Sequence, residues 1–92
     1  AKARALGKKI DLEEHPKLRK FLNDLTKTTG SRLPDHVVVG FEPSIFVTDV
    51  DMTCVDGKLR GRTLFLSLPL CRLIRKDELS AVIGHELSHH LG

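Results

Sequence analysis

The feature that most constrains the fold is the stretch of residues 77–92, whose pattern is typical of an amphipathic helix. Asp77 is a candidate N-cap, and Glu78 places negative charge in the first turn, where the helix dipole favours it. The apolar positions follow helical spacing: Leu79, Val82, Ile83 and Leu87. Three residues are small enough for close packing against a sheet: Ala81, Gly84 and Ser88. We therefore predict a helix from about residue 78 to the end of the sequence.

The same helix carries the pattern H-E-x-x-H at His85, Glu86 and His89. Residues four apart lie on one face of a helix, so both imidazoles are placed to bind one metal ion. Glu86 lies about 100° around the helix from His85, which leaves its carboxylate available to take a proton from water. On a helix, this pattern is a signature of zinc proteases. We predict that His85 and His89 bind Zn²⁺ and that Glu86 is the general base for peptide-bond hydrolysis by a metal-activated water.

The sequence leaves the third zinc ligand open, because catalytic zinc sites typically have three protein ligands and an open position for water. In a metzincin-like protease the third ligand would be a His just beyond Gly92, since His89-His90-Leu91-Gly92 matches the start of H-x-x-G-x-x-H. In a second arrangement a Glu from a separate, later helix completes the site. A third hypothesis is a non-catalytic binding module derived from a protease domain, because two imidazoles alone make an incomplete site.

The remaining sequence predicts one further helix and several short strands. Pro16 suits a first helical turn and Gly30 a helix end, which predicts a helix over residues 16–28. Apolar and β-branched runs predict strands at residues 37–39, 45–48 and 63–68. Asp56-Gly57 predicts a hairpin with arms at 52–55 and 58–60. Pro69 ends the last strand or begins a short helical turn, and the Ala/Lys/Arg-rich residues 1–10 favour a helix.

The order helix, strands, helix predicts an α+β fold with segregated layers. We expect a small, mostly antiparallel sheet with an N-terminal helix and the C-terminal HExxH helix packed on it. The 92 residues are 40% hydrophobic and 29% charged, which is a globular balance. We interpret residues 1–92 as a single domain that is a fragment of a larger catalytic domain.

Composition argues against several other classes of protein. The net charge is +3, but the sequence has no Trp or Tyr to stack on bases, so no nucleic-acid partner is expected. No segment has the ~20 apolar residues that span a bilayer. Cys54 and Cys71 do not form a C-x-x-C motif, which predicts two reduced cysteines in or near the core.

Four segments resemble a known family, and the first of them, from His15-Pro16 to Pro34, is similar to the helix and "lP" linker that precede that family's strands. The run Asp77-Glu-Leu-Ser-Ala-Val-Ile-Gly-His-Glu-Leu-Ser-His89 resembles the "deLxAVxxHExxH" helix of the HtpX-like and CAAX prenyl endopeptidases, which are zinc metallopeptidases of the gluzincin type. Pro43-Ser-Ile-Phe-Val-Thr48 is similar to that family's "P-N-A-F-A-T" strand, and Gly61-Arg-Thr-Leu-Phe-Leu-Ser-Leu68 is similar to its next strand. The resemblance covers about residues 11–92.

This resemblance implies a zincin-like fold and an endopeptidase domain that acts on protein or peptide substrates. It implies a Glu as the third zinc ligand, supplied by a later helix. It also implies an edge strand near the metal that binds the substrate backbone by β-addition, which by position involves Ser44, Ile45 and Phe46. We expect the parent protein to be membrane-associated, at the cytoplasmic face of a membrane, or located in the cell envelope.

Overall fold

The computed structural model describes residues 3–4, 7–55 and 57–88, with side chains from residue 7 onward. Strands β1 (Ala3–Arg4) and β2 (Gly7–Ile10) are followed by a 3₁₀ turn (Leu12–Glu14) and helix α1 (Pro16–Thr29). The middle of the chain contains β3 (His36–Gly40), β4 (Phe46–Thr48), β5 (Met52–Cys54), β6 (Gly57–Leu59) and β7 (Thr63–Ser67). Helices α2 (Leu68–Leu73) and α3 (Lys76–Ser88) follow. The fold is α+β, as the order of elements predicts.

The strands form two sheets. The larger has the order β2-β3-β7-β4, and the smaller has the order β1-β5-β6. In the larger sheet β2 and β4 pair antiparallel with their neighbours, but the central pair, β3 and β7, is parallel. The larger sheet is therefore mixed rather than mostly antiparallel. The reason is that residues 41–62 pass through β4 and the β5–β6 hairpin before β7 returns beside β3 in the same direction.

The central strand β7 separates two hydrophobic clusters, and all five of its residues are buried. Leu64 and Leu66 contribute to the cluster that includes residues of α1 and α3. Phe65 contributes to the other cluster, with Met52 and Leu59 of the smaller sheet. Because successive side chains of a strand point to opposite faces, the order of layers is helices, larger sheet, smaller sheet.

Helices α1 and α3 both pack on one face of the larger sheet. Leu22 of α1 and Ile83 and Leu87 of α3 are fully buried in the same cluster as β7. Each buried side chain of this size contributes about 1.5–3 kcal/mol through the hydrophobic effect. The prediction for α1 is confirmed to within one residue, and Gly30 ends the helix by donating its N–H to the carbonyl of Thr26.

Three local predictions differ from the structure. Residues 7–10 form β2 instead of a helix, because pairing with β3 outweighs the local helix propensity of this segment. Helix α3 begins at Lys76, so Asp77 lies inside the first turn and does not cap it. Glu78 instead accepts the backbone N–H of Arg75 at 3.1 Å. The hairpin is one residue earlier than predicted, with Cys54 opposite Gly57, and Asp56 lies outside the described residues.

Arg62 connects the start of β7 to the neighbouring strands through its side chain and its backbone N–H. Its Nε donates to Oδ1 of Asp49 at 2.9 Å, and only 9% of the Arg62 side chain is exposed. Its backbone N–H donates to Oδ2 of Asp35 at 2.8 Å. Asp49 directly follows β4 and Asp35 directly precedes β3, so these charge-assisted bonds fix the ends of both strands against β7.

Two glycines with similar backbone angles allow a matched test of this region. Gly61 has a φ of 99° and Gly57 a φ of 113°. A Cβ on Gly61 would lie 2.5 Å from Oδ2 of Asp35, whereas a Cβ on Gly57 would meet nothing within 4 Å. We expect Gly57→Ala to lower the free energy of unfolding by about 1–3 kcal/mol through backbone strain.

Gly61→Ala should lower the free energy of unfolding by at least about 1 kcal/mol more than Gly57→Ala does. The reason is that the Asp35 side chain cannot move away from a new Cβ without losing its bond to the N–H of Arg62. Urea unfolding followed by circular dichroism measures both values. Equal losses for the two variants would contradict the close approach of Asp35 to Gly61.

The two cysteines are both free thiols, as predicted. Cys54 lies in the cluster between the sheets, and Cys71 packs against the cluster on the helical face. Their positions on opposite faces of the larger sheet account for the absence of a disulfide between them. Burial raises the pKa of the Cys71 thiol above its usual value, which favours the neutral thiol.

Candidate active site

On helix α3, His85 faces solvent and Glu86 lies between the exposed and the buried side of the helix. The buried residues of the helix are Ile83, Gly84 and Leu87. His85 is exposed and Glu86 is half-buried. Val82, which the sequence pattern assigns to the apolar face, is 40% exposed, because it lies at the margin of that face, about 100° from Ile83.

His89, the second predicted zinc ligand, lies outside the described residues. Its role and its pairing with His85 therefore stay predictions. Glu86 and His85 are both placed on a helix, as the mechanism of the motif requires.

Of the small residues of α3, Gly84 faces helix α1 instead of the sheet. A Cβ on Gly84 would lie 3.6 Å from Cγ2 of Thr29 and 3.9 Å from Cδ2 of Leu25, both in α1. Ala81 is exposed. The expectation that these residues pack against a sheet is therefore wrong for Gly84 and Ala81. The close contact of Gly84 with α1 sets the position of α3, and with it the position of Glu86.

The carboxylate of Glu86 reaches the backbone of β4. The N–H of Val47 donates to Oε1 of Glu86, with an N···O distance of 3.4 Å. Strand β4 is the last in the order of the larger sheet, so within the described residues it has a neighbour on one side only. The structure thus places the predicted proton acceptor beside a sheet edge.

The three residues predicted to bind substrate, Ser44, Ile45 and Phe46, make different contacts near the β4 edge. The N–H of Ser44 donates to the carbonyl of Glu42 at 2.8 Å and so is used in the turn before β4. Ile45 is half-buried and packs against the helical-face cluster. The ring of Phe46 stacks on Phe65, with centroids 5.2 Å apart, and thus lies on the sheet face away from α3.

Val47 is the position that sequence reasoning missed. It lies opposite Leu64 in the antiparallel pair of β4 and β7. Its contribution is a backbone N–H whose direction depends on the pairing register, and no side-chain pattern encodes that register directly.

The chemistry of the donors on α3 fits zinc, but the described set is incomplete. Neutral imidazole is a usual zinc ligand, and His85 is exposed on the helix, where it is accessible to an ion. Within residues 7–55 and 57–88 no group of three His, Cys, Asp or Glu side chains is arranged to hold a metal ion.

The model of peptidase family M48 matches residues 13–92, which is most of the chain. The chain belongs to peptidase family M48. The resemblance of the chain to HtpX-like peptidases is confirmed by relatives that carry that name. The chain is 31% identical over 81 residues to a protease HtpX homolog of Thermococcus kodakarensis, which covers 87% of this chain and 26% of that protein. It is 31% identical over 74 residues to the homolog of Archaeoglobus fulgidus, covering 80% of this chain and 20% of the relative.

A third relative is the protease HtpX homolog of Thermoplasma volcanium, at 26% identity over 86 residues. That match covers 90% of this chain and 25% of the relative. The chain thus spans about a quarter or less of the length of these proteins. No solved structure matches it with significance. In the described part of this family M48 chain, no helix combines the length and the apolar character needed to cross a bilayer.

Proposed function

We propose that the chain forms the HExxH-bearing part of a zinc-dependent endopeptidase domain. The observation that carries the proposal is the position of the Glu86 carboxylate, which is half-buried, follows the exposed His85 on the helix and lies 3.4 Å from an edge-strand N–H. Membership of family M48 supports peptide-bond hydrolysis as the reaction. The substrate class is an extended segment of a protein or peptide.

The chain's own residues then have distinct tasks. The open edge of β4 binds the substrate backbone in extended form, with hydrogen bonds to main-chain groups. Glu86 accepts a proton from the attacking water and later passes it to the leaving amine. His85, together with His89 outside the described residues, would hold the zinc ion. When bound, zinc acidifies the attacking water and polarises the substrate carbonyl.

The packing around Glu86 suits proton transfer. Leu87 and Ile83 are fully buried and fix the helix on the sheet, so the carboxylate is held by its backbone on a rigid element. Glu86 itself is half-buried, which keeps it accessible to water and substrate. A base on a rigid helix loses little freedom when the reacting groups are aligned.

The family match favours this proposal over the metzincin-like alternative, because the resemblance to HtpX-like enzymes implies a Glu from a later helix as third ligand. The binding-module hypothesis makes a different prediction, since such a module would bind unfolded protein without cleaving it. Association of the parent protein with a membrane stays a prediction.

The test is cleavage of casein, an unfolded protein, by this chain within a protein of the relatives' full length. We expect Zn²⁺ to support cleavage, EDTA to abolish it, and added Zn²⁺ to restore it. An inhibitor of serine proteases serves as the control and should have no effect. Cleavage that is insensitive to EDTA would contradict a metal-dependent mechanism, and binding of casein without cleavage would favour the binding module.

A further inference from the structure

The bond between Val47 and Glu86 joins the two parts of the proposed site. The donor is a backbone N–H of strand β4, and the acceptor is the carboxylate assigned to proton transfer. The two residues are distant in sequence and come together because α3 lies beside the β4 edge. This contact raises the question of how both groups act once a peptide is bound.

The register of β4 shows which way the Val47 N–H points. In an antiparallel pair, residues alternate between pairs that exchange hydrogen bonds and pairs whose N–H and C=O point outward. Val47 lies opposite Leu64, and its N–H donates to Glu86 on α3. Val47 is therefore an outward-facing position. Its N–H belongs to the row of groups that an added strand would use.

The hydrogen bond between the Val47 N–H and the Glu86 carboxylate is long, so another acceptor can replace the carboxylate. Backbone N–H···O bonds usually have N···O distances of about 2.7–3.2 Å, whereas this one is 3.4 Å. Glu86 is half-buried, so its carboxylate can be hydrated after it leaves the N–H. A peptide carbonyl aligned with the strand offers the same N–H a shorter, straighter bond.

We propose that the Val47 N–H has two alternative acceptors, the Glu86 carboxylate before a peptide binds and a carbonyl of the peptide strand afterwards. Peptide binding at the β4 edge thus releases the carboxylate for proton transfer. Val47 acts as a positioning residue through its main chain, and Glu86 competes with substrate for the edge. This inference rests on the proposed function, because it assumes β-addition at β4.

The competition has a consequence that a purely structural contact would not have. Removing the carboxylate in Glu86→Ala should tighten peptide binding, since the peptide no longer displaces an acceptor. The expected gain in affinity is about 3- to 10-fold, which corresponds to one ordinary hydrogen bond. A variant that merely loosened the site would bind the peptide more weakly.

The experiment is a nuclear magnetic resonance titration of the ¹⁵N,¹³C-labelled 92-residue chain with a capped eight-residue peptide of alternating valine and serine. In the wild-type chain, we expect the peptide to shift the Val47 amide signal and the Glu86 carboxylate ¹³C signal together. In Glu86→Ala the dissociation constant should fall by the stated factor. Asp77→Ala is the control, because it removes one negative charge from the same helix at an exposed ion pair, and peptide affinity should not change.

Glu86→Gln provides a second variant of nearly the same shape, whose neutral oxygen is a weaker acceptor, and its gain in affinity should be smaller. Unchanged or weaker binding by Glu86→Ala, with the β4 signals still shifted by peptide, would overturn the competition but leave the proposed endopeptidase function standing. A peptide that shifts no signal of β4 would overturn this inference together with substrate binding at that edge. Metal-dependent cleavage of casein is measured separately and does not depend on either result.

Discussion

Glu86→Gln is expected to lower kcat for casein cleavage by about 10²- to 10⁴-fold in the zinc-loaded, full-length protein. The amide has the shape of the carboxylate and keeps an oxygen that can accept the Val47 N–H. It cannot take a proton from water, so the proton-transfer step is lost while the fold is kept. KM should change much less than kcat, because the substitution acts mainly on the transition state.

Two measurements make this result specific. Glu78→Gln changes another acidic residue on the same helix, one that contacts the backbone N–H of Arg75, and should retain activity. Zinc content should be equal in both variants and the wild type, because neither residue is a predicted ligand. Activity that survives in Glu86→Gln would remove Glu86 as the general base.

Ile83→Ala is expected to lower the free energy of unfolding by about 2–5 kcal/mol. Ile83 is fully buried in the cluster that joins α1, α3 and the larger sheet, so the substitution leaves a cavity beneath the proposed site. A loss of this size is a large part of the stability of a small domain, which is about 5–15 kcal/mol.

Val82→Ala is the matched control, because Val82 precedes Ile83 and is 40% exposed. Val82→Ala should lower the free energy of unfolding by about 1 kcal/mol or less. Urea unfolding followed by far-ultraviolet circular dichroism measures both, since the chain has no Trp or Tyr for fluorescence. Similar losses for the two variants would contradict the orientation of α3 on the sheet.

The elements that sequence reasoning predicted well are those with strong local signals. Pro16 and Gly30 bound α1 because each suits one end of a helix, and the run from Thr63 to Ser67 forms β7 because it is apolar and bounded by turns. The alternation of Leu64, Phe65 and Leu66 gives two buried faces. Such patterns report local geometry and burial.

The misjudged features depend on long-range pairing. Nothing in residues 7–10 indicates that they will pair with β3, and nothing in residues 41–62 indicates that the chain returns parallel to β3. Val82 fits the apolar spacing of α3 but is 40% exposed, because helical spacing alone does not fix how a helix is rotated on a sheet. The contact of Val47 with Glu86 was missed for the same reason, since it is set by the strand register and the position of α3.

The most direct test of the central claim is a Zn²⁺ titration of the 92-residue chain, followed by the ring-nitrogen signals of its five histidines. We predict that the signals of His85 and His89 shift together, that His36 does not respond, and that binding is weak because two imidazoles make an incomplete site. His85→Ala should abolish the shift of His89. Independent behaviour of His85 and His89, or tight binding through other residues, would contradict the assignment of this helix as a metal-binding element.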